Sequence, residues 1–531
     1  MKSFREIQGA RQVKKGEGNA VAGVLKKTAI VLFYMVFAVI GLVAFTARPV
    51  TDWTKENFGV TIQEILFTVK SPMKGADTGF LKGALLEAKP DAVLFLVLLA
   101  GGVICDRLIF GRLRICIKIR LKKWHDINVR PVCYCMALGA ALLSLHGAYN
   151  YLDEILKISD YLEKRAERTE IYENYYTDPL ETEITSSGSI KNLIYIYLES
   201  METACASAAA GGYQETDYIP GLTAIANENI SFSDGSGLGG WRAVDGSTWT
   251  MGALFSTTAG IPFAFPIKGN TMGERSVFAP GVTNLGDLLE ECGYTQEFLC
   301  GSDGNFAGRA DYFQQHGNYR IFDYSTAIEE GYIAPDYKVW WGFEDSILYD
   351  IAKDELTRLA ADHAPFNFTM LTVDTHHVGG YVCDLCGNVY QDQLANVLVC
   401  ADSLLRDFVE WCKGQDFYED TVIVISGDHP RMDTCLVPEE AERESRTVYN
   451  AFINADVDDA EMLRTRNRDF APMDMFPTVL SAMGFRIEGD RLGLGTNLFS
   501  ARDTLMEEMG GFENLNSELK KHSVYYVNHF Y

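Results

Sequence analysis

The chain has 531 residues, enough for more than one structural unit and a large hydrophobic core. A hydrophobic content of 47% with only 15 prolines excludes a wholly disordered, collagen-like or low-complexity protein. The net charge of −25 argues against a nucleic-acid-binding protein, because neutralising phosphates requires a basic surface.

The charge is divided unevenly along the chain. Residues 1–150 carry a net charge of +11, whereas residues 151–531 carry −36. We therefore expect the two parts to lie in different environments.

The basic part contains three apolar segments. Residues 28–47 hold no charge and are long enough to cross a bilayer as a helix, although a cleaved signal peptide is the alternative. Residues 92–110 and 131–151 are two further candidates, and Asp106 and Arg107 near the end of the second segment could pair with each other. The alternative for these last two is a pair of core helices in a soluble domain. We expect a membrane anchor over residues 1–151.

The distribution of Lys and Arg predicts the orientation of this anchor. Seven basic residues precede the first span, and seven lie in 111–130 between the second and third spans. Short loops rich in Lys and Arg stay in the cytoplasm, so the 49–91 loop and everything after 151 should lie outside. We predict a multi-pass protein of a bacterial-type inner membrane with its acidic part on the periplasmic or extracellular side.

The pattern of the acidic part, residues 151–531, predicts a linker followed by one α/β domain. Residues 152–190 are polar and predict a juxtamembrane helix and a linker, and 191–531 form the predicted exported domain. Short runs rich in β-branched and aromatic residues alternate there with helical patterns, which is typical of a mostly parallel sheet flanked by helices. The predicted strands are 193–198, 298–299, 366–373, 421–426 and 448–453, and the predicted helices are 282–291, 345–361 and 391–413.

Eight of the twelve cysteines fall in the exported part, where disulfides can form. The pair Cys383 and Cys386 has the spacing of a zinc or redox motif, but no second pair accompanies it. A loop disulfide from one of them to Cys400 is the reading we favour.

Charged side chains follow several predicted strands directly. Ligands gather at the carboxyl ends of strands in such folds. Glu199, Asp428 and His429 together offer oxygen and imidazole ligands for a metal ion. The alternatives are that Glu199 is a carboxylate at a helix start and that the Asp-His pair only caps a turn. Asp374, His376 and His377 follow another strand.

A candidate nucleophile lies in 245–251, before an apolar stretch with helical character. A hydroxyl at a helix N-terminus near a divalent ion can attack phosphorus as an alkoxide. Ser247 and Thr248 are the two candidates, and the alternative is that either one only caps the helix.

Five stretches in this order complete the pattern: 192–200 (NLIYIYLES), 246–260, 372–377 (TVDTHH), 424–429 (VISGDH) and 474–480 (DMFPTVL). Together they resemble the sulfatase-fold phosphoglycerol transferases, the family of the enzymes of osmoregulated periplasmic glucans and, more distantly, of lipoteichoic acid synthases. The resemblance covers about residues 190–500 and implies an alkaline phosphatase/sulfatase-like fold.

The resemblance also implies roles for particular residues. Glu199, Asp428 and His429, with the nucleophile Ser247, would hold a divalent ion, Mn²⁺ in the first place and Mg²⁺ or Zn²⁺ as alternatives. Ser247 occupies the slot that we align with the family's nucleophilic Thr, and Thr248 is the fallback.

Three further residues are matched to substrate contacts of the family. Arg309 would bind phosphate oxygens, with a surface salt bridge as its alternative role. His376 would contact substrate or donate a proton to the leaving group, and His377 is its neighbour in the same substrate-binding role.

The implied reaction moves a glycerophosphoryl group from the membrane lipid phosphatidylglycerol to a glycan or polymer acceptor through a covalent Ser intermediate. Sulfatase activity itself is not expected, because Trp249 and Met251 stand where a Cys/Ser-x-Pro-x-Arg motif needs Pro and Arg. The alternatives are a phosphoethanolamine transferase, a phosphodiesterase of the same fold, or a catalytically silent envelope protein. No nucleic-acid partner is expected, and the sequence leaves the oligomeric state open.

Overall fold

The structure is a computed structural model that describes residues 4–58, 62, 64–66, 79–110, 112–119, 123–186, 190–264, 278–433, 435–437, 441, 443–457 and 464–531. The chain divides into two compact units. The smaller comprises Met1–Lys55 and Thr78–Ile158, and the larger comprises Glu56–Asp77 and Ser159–Tyr531.

The smaller unit is built on long helices. Its elements are α1 (Phe4–Phe58), α2 (Gly79–Cys105), a π-helical turn (Asp106–Phe110), the antiparallel strands β1 (Arg114–Ile119) and β2 (Lys123–Asn128), and α3 (Arg130–Leu156). Three stretches are long and apolar enough to cross a membrane: Gly23–Lys55, Lys82–Phe110 and Arg130–Leu156. Each contains one of the spans predicted from the sequence.

The acidic side chain inside the second of these stretches has a specific partner. Asp106 is buried and accepts a hydrogen bond from Nε of Arg130 at 2.7 Å, and the Tyr134 hydroxyl donates to the same carboxylate at 2.8 Å. Pairing satisfies a charge that would be costly alone in an apolar layer. The basic partner is Arg130, not the adjacent Arg107 that the sequence suggested.

The larger unit is organised by a six-stranded sheet. Its strands are β4 (Asn192–Leu198), β6 (Thr295–Cys300), β7 (Arg320–Phe322), β8 (Phe366–Leu371), β9 (Thr421–Gly427) and β11 (Asn450–Ile453). They lie in the order β11-β9-β4-β8-β6-β7, and only β11 runs antiparallel to its neighbour. This arrangement confirms the predicted α/β class with a mostly parallel sheet.

Strand β4 shows why the central strands read as continuous apolar runs. Leu193, Tyr195 and Tyr197 join one apolar cluster, and Ile194 and Ile196 join another on the opposite face. Successive side chains of a strand point to opposite faces, so a strand covered on both sides must be apolar throughout. The sheet therefore lies between two buried layers.

Helices lie against both faces of this sheet. The helices from residue 158 onward are α4 (Ile158–Ala166), α5 (Ile171–Tyr175), α6 (Pro220–Glu228), α7 (Thr250–Ala259), α8 (Leu285–Glu291), α9 (Arg309–Gln315), α10 (Tyr324–Glu329), α11 (Asp345–Ala361), α12 (Gln393–Lys413), α13 (Met475–Ala482), α14 (Leu505–Glu508), α15 (Phe512–Leu519) and α16 (Val524–Phe530). Helix α7 contributes to the first apolar layer, whereas α11 and α12 contribute to the second.

Short strand pairs complete the larger unit. β5 (Trp241–Arg242) pairs with β10 (Thr447–Val448), β3 (Ile184–Ser186) with β12 (Phe485–Ile487), and β13 (Arg491–Leu492) with β14 (Gly495–Thr496). Part of the segment predicted as a linker is thus a strand of this unit. The strand predicted over 448–453 is divided between β10 and β11.

Candidate active site

The three predicted metal ligands meet at one edge of the sheet. Glu199 follows β4, Asp428 and His429 follow β9, and the two strands pair in parallel up to Leu198 and Gly427. All three side chains are buried. One potential ligand atom from each lies within 4.8 Å of the others, so the structure brings these residues together as one cluster.

The local backbone makes this convergence feasible. A Cβ at Gly427 would lie 2.0 Å from the carbonyl oxygen of Met201, so only glycine fits where the two segments cross. Ser200 adopts a left-handed φ of +52°, which is uncommon for a non-glycine residue. In this conformation its backbone N–H donates to Oδ1 of Asp428 at 2.6 Å. The turn after β4 therefore orients the carboxylate that follows β9.

The electrostatics of the cluster suit a cation. Nδ1 of His429 donates to the Pro430 carbonyl at 2.9 Å, which leaves Nε2 with its lone pair 3.7 Å from Oε1 of Glu199 and 3.4 Å from Oδ2 of Asp428. Burial raises the pKa of Asp428 to about 6. Burial, then the nearby Asp428 carboxylate, raises the pKa of Glu199.

Oδ2 of Asp428 is buried and accepts no hydrogen bond of ordinary geometry from the residues that the structure describes. The cluster therefore offers a divalent ion two kinds of donor. These are the buried carboxylates of Glu199 and Asp428, which repel each other and include the unsatisfied Oδ2, and the lone pair on Nε2 of His429. These residues are therefore compatible with the metal predicted from the sequence.

The hydroxyl beside this cluster belongs to Thr250. Its Oγ1 lies 3.3 Å from Nε2 of His429 and 3.5 Å from Oε2 of Glu199. Thr250 is the first residue of α7, and the preceding Trp249 has an extended backbone. The N-terminal turn of a helix carries free N–H groups and a partial positive charge, which favour a developing alkoxide or phosphate at this position.

The two predicted nucleophiles are located elsewhere. Ser247 is fully buried and its hydroxyl donates to the Val244 carbonyl at 2.8 Å. The Thr248 hydroxyl donates to Oε1 of Glu64 at 2.5 Å. Neither residue belongs to the Glu199 cluster, and the hydroxyl that the structure brings to this cluster from the 247–250 segment is that of Thr250. The sequence signal that could have found it is the start of the apolar helix at Thr250.

A pocket opens beside the Thr250 hydroxyl. The polar groups on its wall include Glu199, Ser302, Arg309 and His376, and its aromatic wall comprises Phe306 and Trp341. A pocket of this kind can bind a polar phosphoester beside an apolar portion of the same molecule.

Arg309 is held firmly in this wall. It is buried at the start of α9, and its Nη2 donates to Oγ of Ser302 at 2.9 Å and to the carbonyl of Asp303 at 3.0 Å. Its Nε donates to the Phe306 carbonyl at 3.2 Å. No carboxylate is among these recorded partners, so the guanidinium charge remains available to an anion.

Of the two predicted histidines, His376 lines the pocket and packs against Trp341 with ring centroids 5.0 Å apart. Its Nδ1 lies 2.8 Å from the carbonyl of His377, so Nδ1 carries the hydrogen and Nε2 is an acceptor in the neutral ring. Burial lowers the pKa of His376, which favours that neutral form. His377 stacks on His376 but is not among the described side chains that line the pocket.

A buried ionic network behind the cluster was not found from the sequence. Nη1 of Arg446 donates to both oxygens of Glu202 at 2.7 and 2.9 Å, and Arg431 donates to both oxygens of Asp433 at 3.1 and 2.6 Å. Arg431 also donates to the Thr375 carbonyl at 2.8 Å. The network therefore connects the loop that carries His376 with the segment after His429.

A family model described as Sulfatase matches residues 191–485, which is more than half of the chain. The chain belongs to the sulfatase family. The match covers every strand of the central sheet and every residue of the cluster at its edge.

Relatives of this sulfatase-family protein include phosphoglycerol transferases, as the sequence resemblance indicated. It is 27% identical over 486 residues to "Phosphoglycerol transferase I" of Salmonella choleraesuis (strain SC-B67), covering 88% of this chain and 57% of the relative. The chain thus spans less than two thirds of the length of that relative.

Two solved structures are similar to parts of the protein. The lipoteichoic acid synthase LtaP from Listeria monocytogenes is 18% identical, with a TM-score of 0.46 over 60% of this chain and 79% of that chain. The lipooligosaccharide phosphoethanolamine transferase A (EptA) from Neisseria meningitidis is 14% identical, with a TM-score of 0.48 over 87% of this chain and 89% of that chain.

Proposed function

We propose that this protein is a membrane-anchored, metal-dependent transferase that moves a glycerophosphoryl group from phosphatidylglycerol to a glycan or polymer acceptor. The observation that carries the proposal is the position of the Thr250 hydroxyl, which lies beside Glu199 and His429 and opens into the pocket that contains Arg309. The transferred phosphoglycerol group is carried over from the name of the Salmonella relative, and phosphatidylglycerol as its donor is what the sequence resemblance implies.

The reaction has two steps in this proposal. The Thr250 hydroxyl loses its proton as its oxygen forms a bond to the phosphorus of phosphatidylglycerol, the bond from phosphorus to the diacylglycerol oxygen breaks, and that oxygen takes up a proton in its place. The glycerophosphoryl group is then attached to Thr250. An acceptor hydroxyl then attacks the same phosphorus and loses its proton, the bond from phosphorus to the Thr250 oxygen breaks, and the Thr250 oxygen takes up a proton.

Two pocket residues support these steps. The guanidinium of Arg309 would hold non-bridging phosphate oxygens and stabilise the negative charge that develops on them. Nε2 of His376, an acceptor in the neutral ring, would take the proton of the acceptor hydroxyl in the second step. Donation of a proton to the leaving diacylglycerol oxygen, the role that the resemblance implied for His376, needs the protonated form of the same imidazole.

Glu199, Asp428 and His429 would hold the divalent ion. Once bound, the ion supplies positive charge that favours the deprotonated hydroxyl and the anionic phosphoryl group. Mn²⁺ is our first choice for these oxygen and nitrogen donors, with Mg²⁺ and Zn²⁺ as alternatives.

The apolar helices would bring the catalytic unit to the membrane that contains the lipid donor. Three crossings would keep the catalytic unit beside the bilayer in which the lipid is concentrated. The basic segments before the first span and within 111–130 support a multi-pass topology with the catalytic unit on the outer side.

The test uses the full chain reconstituted in vesicles that contain phosphatidylglycerol labelled in its glycerol headgroup, with Mn²⁺ and a candidate glycan acceptor. We expect diacylglycerol to form and the label to move to the acceptor, and the Thr250→Ala variant to do neither. Transfer from labelled phosphatidylethanolamine instead, release of free glycerophosphate alone, or no turnover with either lipid would each contradict the proposal.

A further inference from the structure

Three cysteines outside the pocket come together in one place. Cys383 and Cys386 lie in the loop between β8 and α12, and Cys400 lies on α12. The Sγ atom of Cys383 is 3.6 Å from that of Cys386 and 3.7 Å from that of Cys400. All three sulfur atoms are within 4.8 Å of one another.

These distances fit a shared ion. Two thiolates bound at about 2.3 Å to one tetrahedral zinc ion lie about 3.8 Å apart. A disulfide would instead bring two of the sulfur atoms to about 2.0 Å and leave the third without a partner. The arrangement favours three equivalent ligands over the loop disulfide that the sequence suggested.

The loop is built to hold this geometry. The backbone N–H of Cys386 donates to the carbonyl of Cys383 at 3.1 Å, so the two thiols sit on one tight turn. On one side of the turn, the Gln393 side chain donates to the Gly380 carbonyl at 2.8 Å. On the other side, Oδ1 of Asn396 accepts from the N–H of Val389 at 2.9 Å.

Gln393 and Asn396, both near the start of α12, thus connect the two sides of the loop to the helix by hydrogen bonds. Cys400 lies about one turn after Asn396 on the same helix. Its thiol therefore reaches the turn that carries the other two thiols.

We propose that Cys383, Cys386 and Cys400 form a thiolate site for Zn²⁺ or another soft divalent ion, separate from the Glu199 cluster. Within the described ranges, no fourth His, Cys, Asp or Glu belongs to this group, so a water molecule would complete a tetrahedral site. As each metal–sulfur bond forms, the thiol releases its proton to solvent, and no electron is transferred.

The site would fix the loop that begins at the pocket. His376 lines the pocket seven residues before Cys383, and the N–H of Tyr381 between them donates to the Asp374 carbonyl at 2.7 Å. A metal that ties this loop to α12 would therefore limit how far His376 can move.

Cobalt titration of the full chain in detergent, purified with reductant and freed of metal, tests the site. Co²⁺ bound by thiolates gives a sulfur-to-metal charge-transfer absorption band, whereas Co²⁺ bound by Glu199, Asp428 and His429 does not. We expect one equivalent of the band-forming ion in the wild type and loss of the band in Cys383→Ser, Cys386→Ser and Cys400→Ser. Cys292→Ser is the matched control, because Cys292 is an exposed cysteine outside the group. It should keep the band, as should Glu199→Gln.

X-ray absorption of the zinc-loaded wild type needs no variant and guards against misfolding of the serine variants. Three sulfur neighbours at about 2.3 Å are expected. Absence of the cobalt band, zinc with no sulfur neighbours, or a Cys383, Cys386 or Cys400 disulfide in the protein isolated without reductant would each overturn the proposal. Because Glu199→Gln separates the two sites, failure here leaves the proposed transferase function intact.

Discussion

Oγ1 of Thr250 lies 3.3 Å from Nε2 of His429, at the point where the first turn of α7 meets the carboxyl end of β9. This contact joins two parts of the chain that are 179 residues apart. Of the three hydroxyl residues in 247–250, namely Ser247, Thr248 and Thr250, it is Thr250 that makes this contact.

Replacement of Thr250 should remove the transferase activity. Thr250→Ala is expected to lower kcat by at least about 1,000-fold, because the attacking oxygen is absent. Thr250→Ser keeps that oxygen and should retain measurable turnover. Release of labelled diacylglycerol measures both. Ser247→Ala is the control, since its hydroxyl bonds to a backbone carbonyl, and a larger loss there than at Thr250 would contradict the assignment.

Replacement of Arg309 should weaken binding of the phosphoester and of its transition state. Arg309→Ala is expected to reduce kcat/KM by about 100-fold, the usual cost of removing one preorganised donor. Arg309→Lys keeps the charge but loses the planar fork, and should fall between the alanine variant and wild type. Steady-state kinetics over a range of lipid fractions give kcat/KM, and equal activity of all three proteins would exclude the proposed contact.

The buried pair of Glu202 and Arg446 should matter more to stability than a surface pair. Glu202→Gln leaves the Arg446 charge buried without its carboxylate and should lower the free energy of unfolding by about 3 kcal/mol. Glu410→Gln breaks an exposed bond to Lys413 and should cost less than about 1 kcal/mol. Thermal unfolding in detergent compares the two variants. Similar decreases in the free energy of unfolding would contradict the expectation that a buried ion pair contributes more than an exposed one.

Asp374 should make stability depend on pH. Burial, then the neighbouring Asp345 carboxylate, raises the pKa of Asp374 well above its usual range. Above about pH 4 the unfolded chain releases the Asp374 proton, whereas the folded protein keeps it. The free energy of unfolding therefore falls as pH rises, by at most about 1.4 kcal/mol per pH unit from this group. Asp374→Asn removes the effect.

The free energy of unfolding of Asp374→Asn, relative to wild type, should increase between about pH 5 and about pH 8. Asp374 is the better choice of the pair, because its carboxylate accepts one recorded backbone bond, from the N–H of Asp345, whereas Asp345 accepts two. A difference between variant and wild type that stays constant across this range would contradict the expected titration.

The sequence predicted the cluster of Glu199, Asp428 and His429 because strand ends are visible in the local pattern. Adjacent parallel strands bring such residues together whatever the details of the loops. The helix at 345–361 was predicted with the bounds that the structure has, because its apolar spacing is regular over 17 residues.

The sequence did not predict which hydroxyl lies beside the cluster, because that depends on where a helix begins. Ser247, Thr248 and Thr250 differ by at most three residues, and the extended backbone of Trp249 decides which hydroxyl meets the cluster. A motif alone does not contain that information, because helix boundaries carry an uncertainty of a few residues.

Ion pairs between residues far apart in the chain could not be predicted from the sequence for a related reason. Glu202 and Arg446 are 244 residues apart, and Asp106 and Arg130 are 24 residues apart. No local pattern predicts which charges meet when the chain folds. The division of 448–453 into two strands depends likewise on β5, a two-residue strand that pairs with the first of them.

The most direct test of the account is mass spectrometry of the full-length protein after brief incubation with phosphatidylglycerol and Mn²⁺ in the absence of an acceptor. We predict a single glycerophosphoryl adduct on Thr250 that disappears when acceptor is added. An adduct on Ser247 or Thr248, or diacylglycerol release by Thr250→Ala at the wild-type rate, would contradict the account.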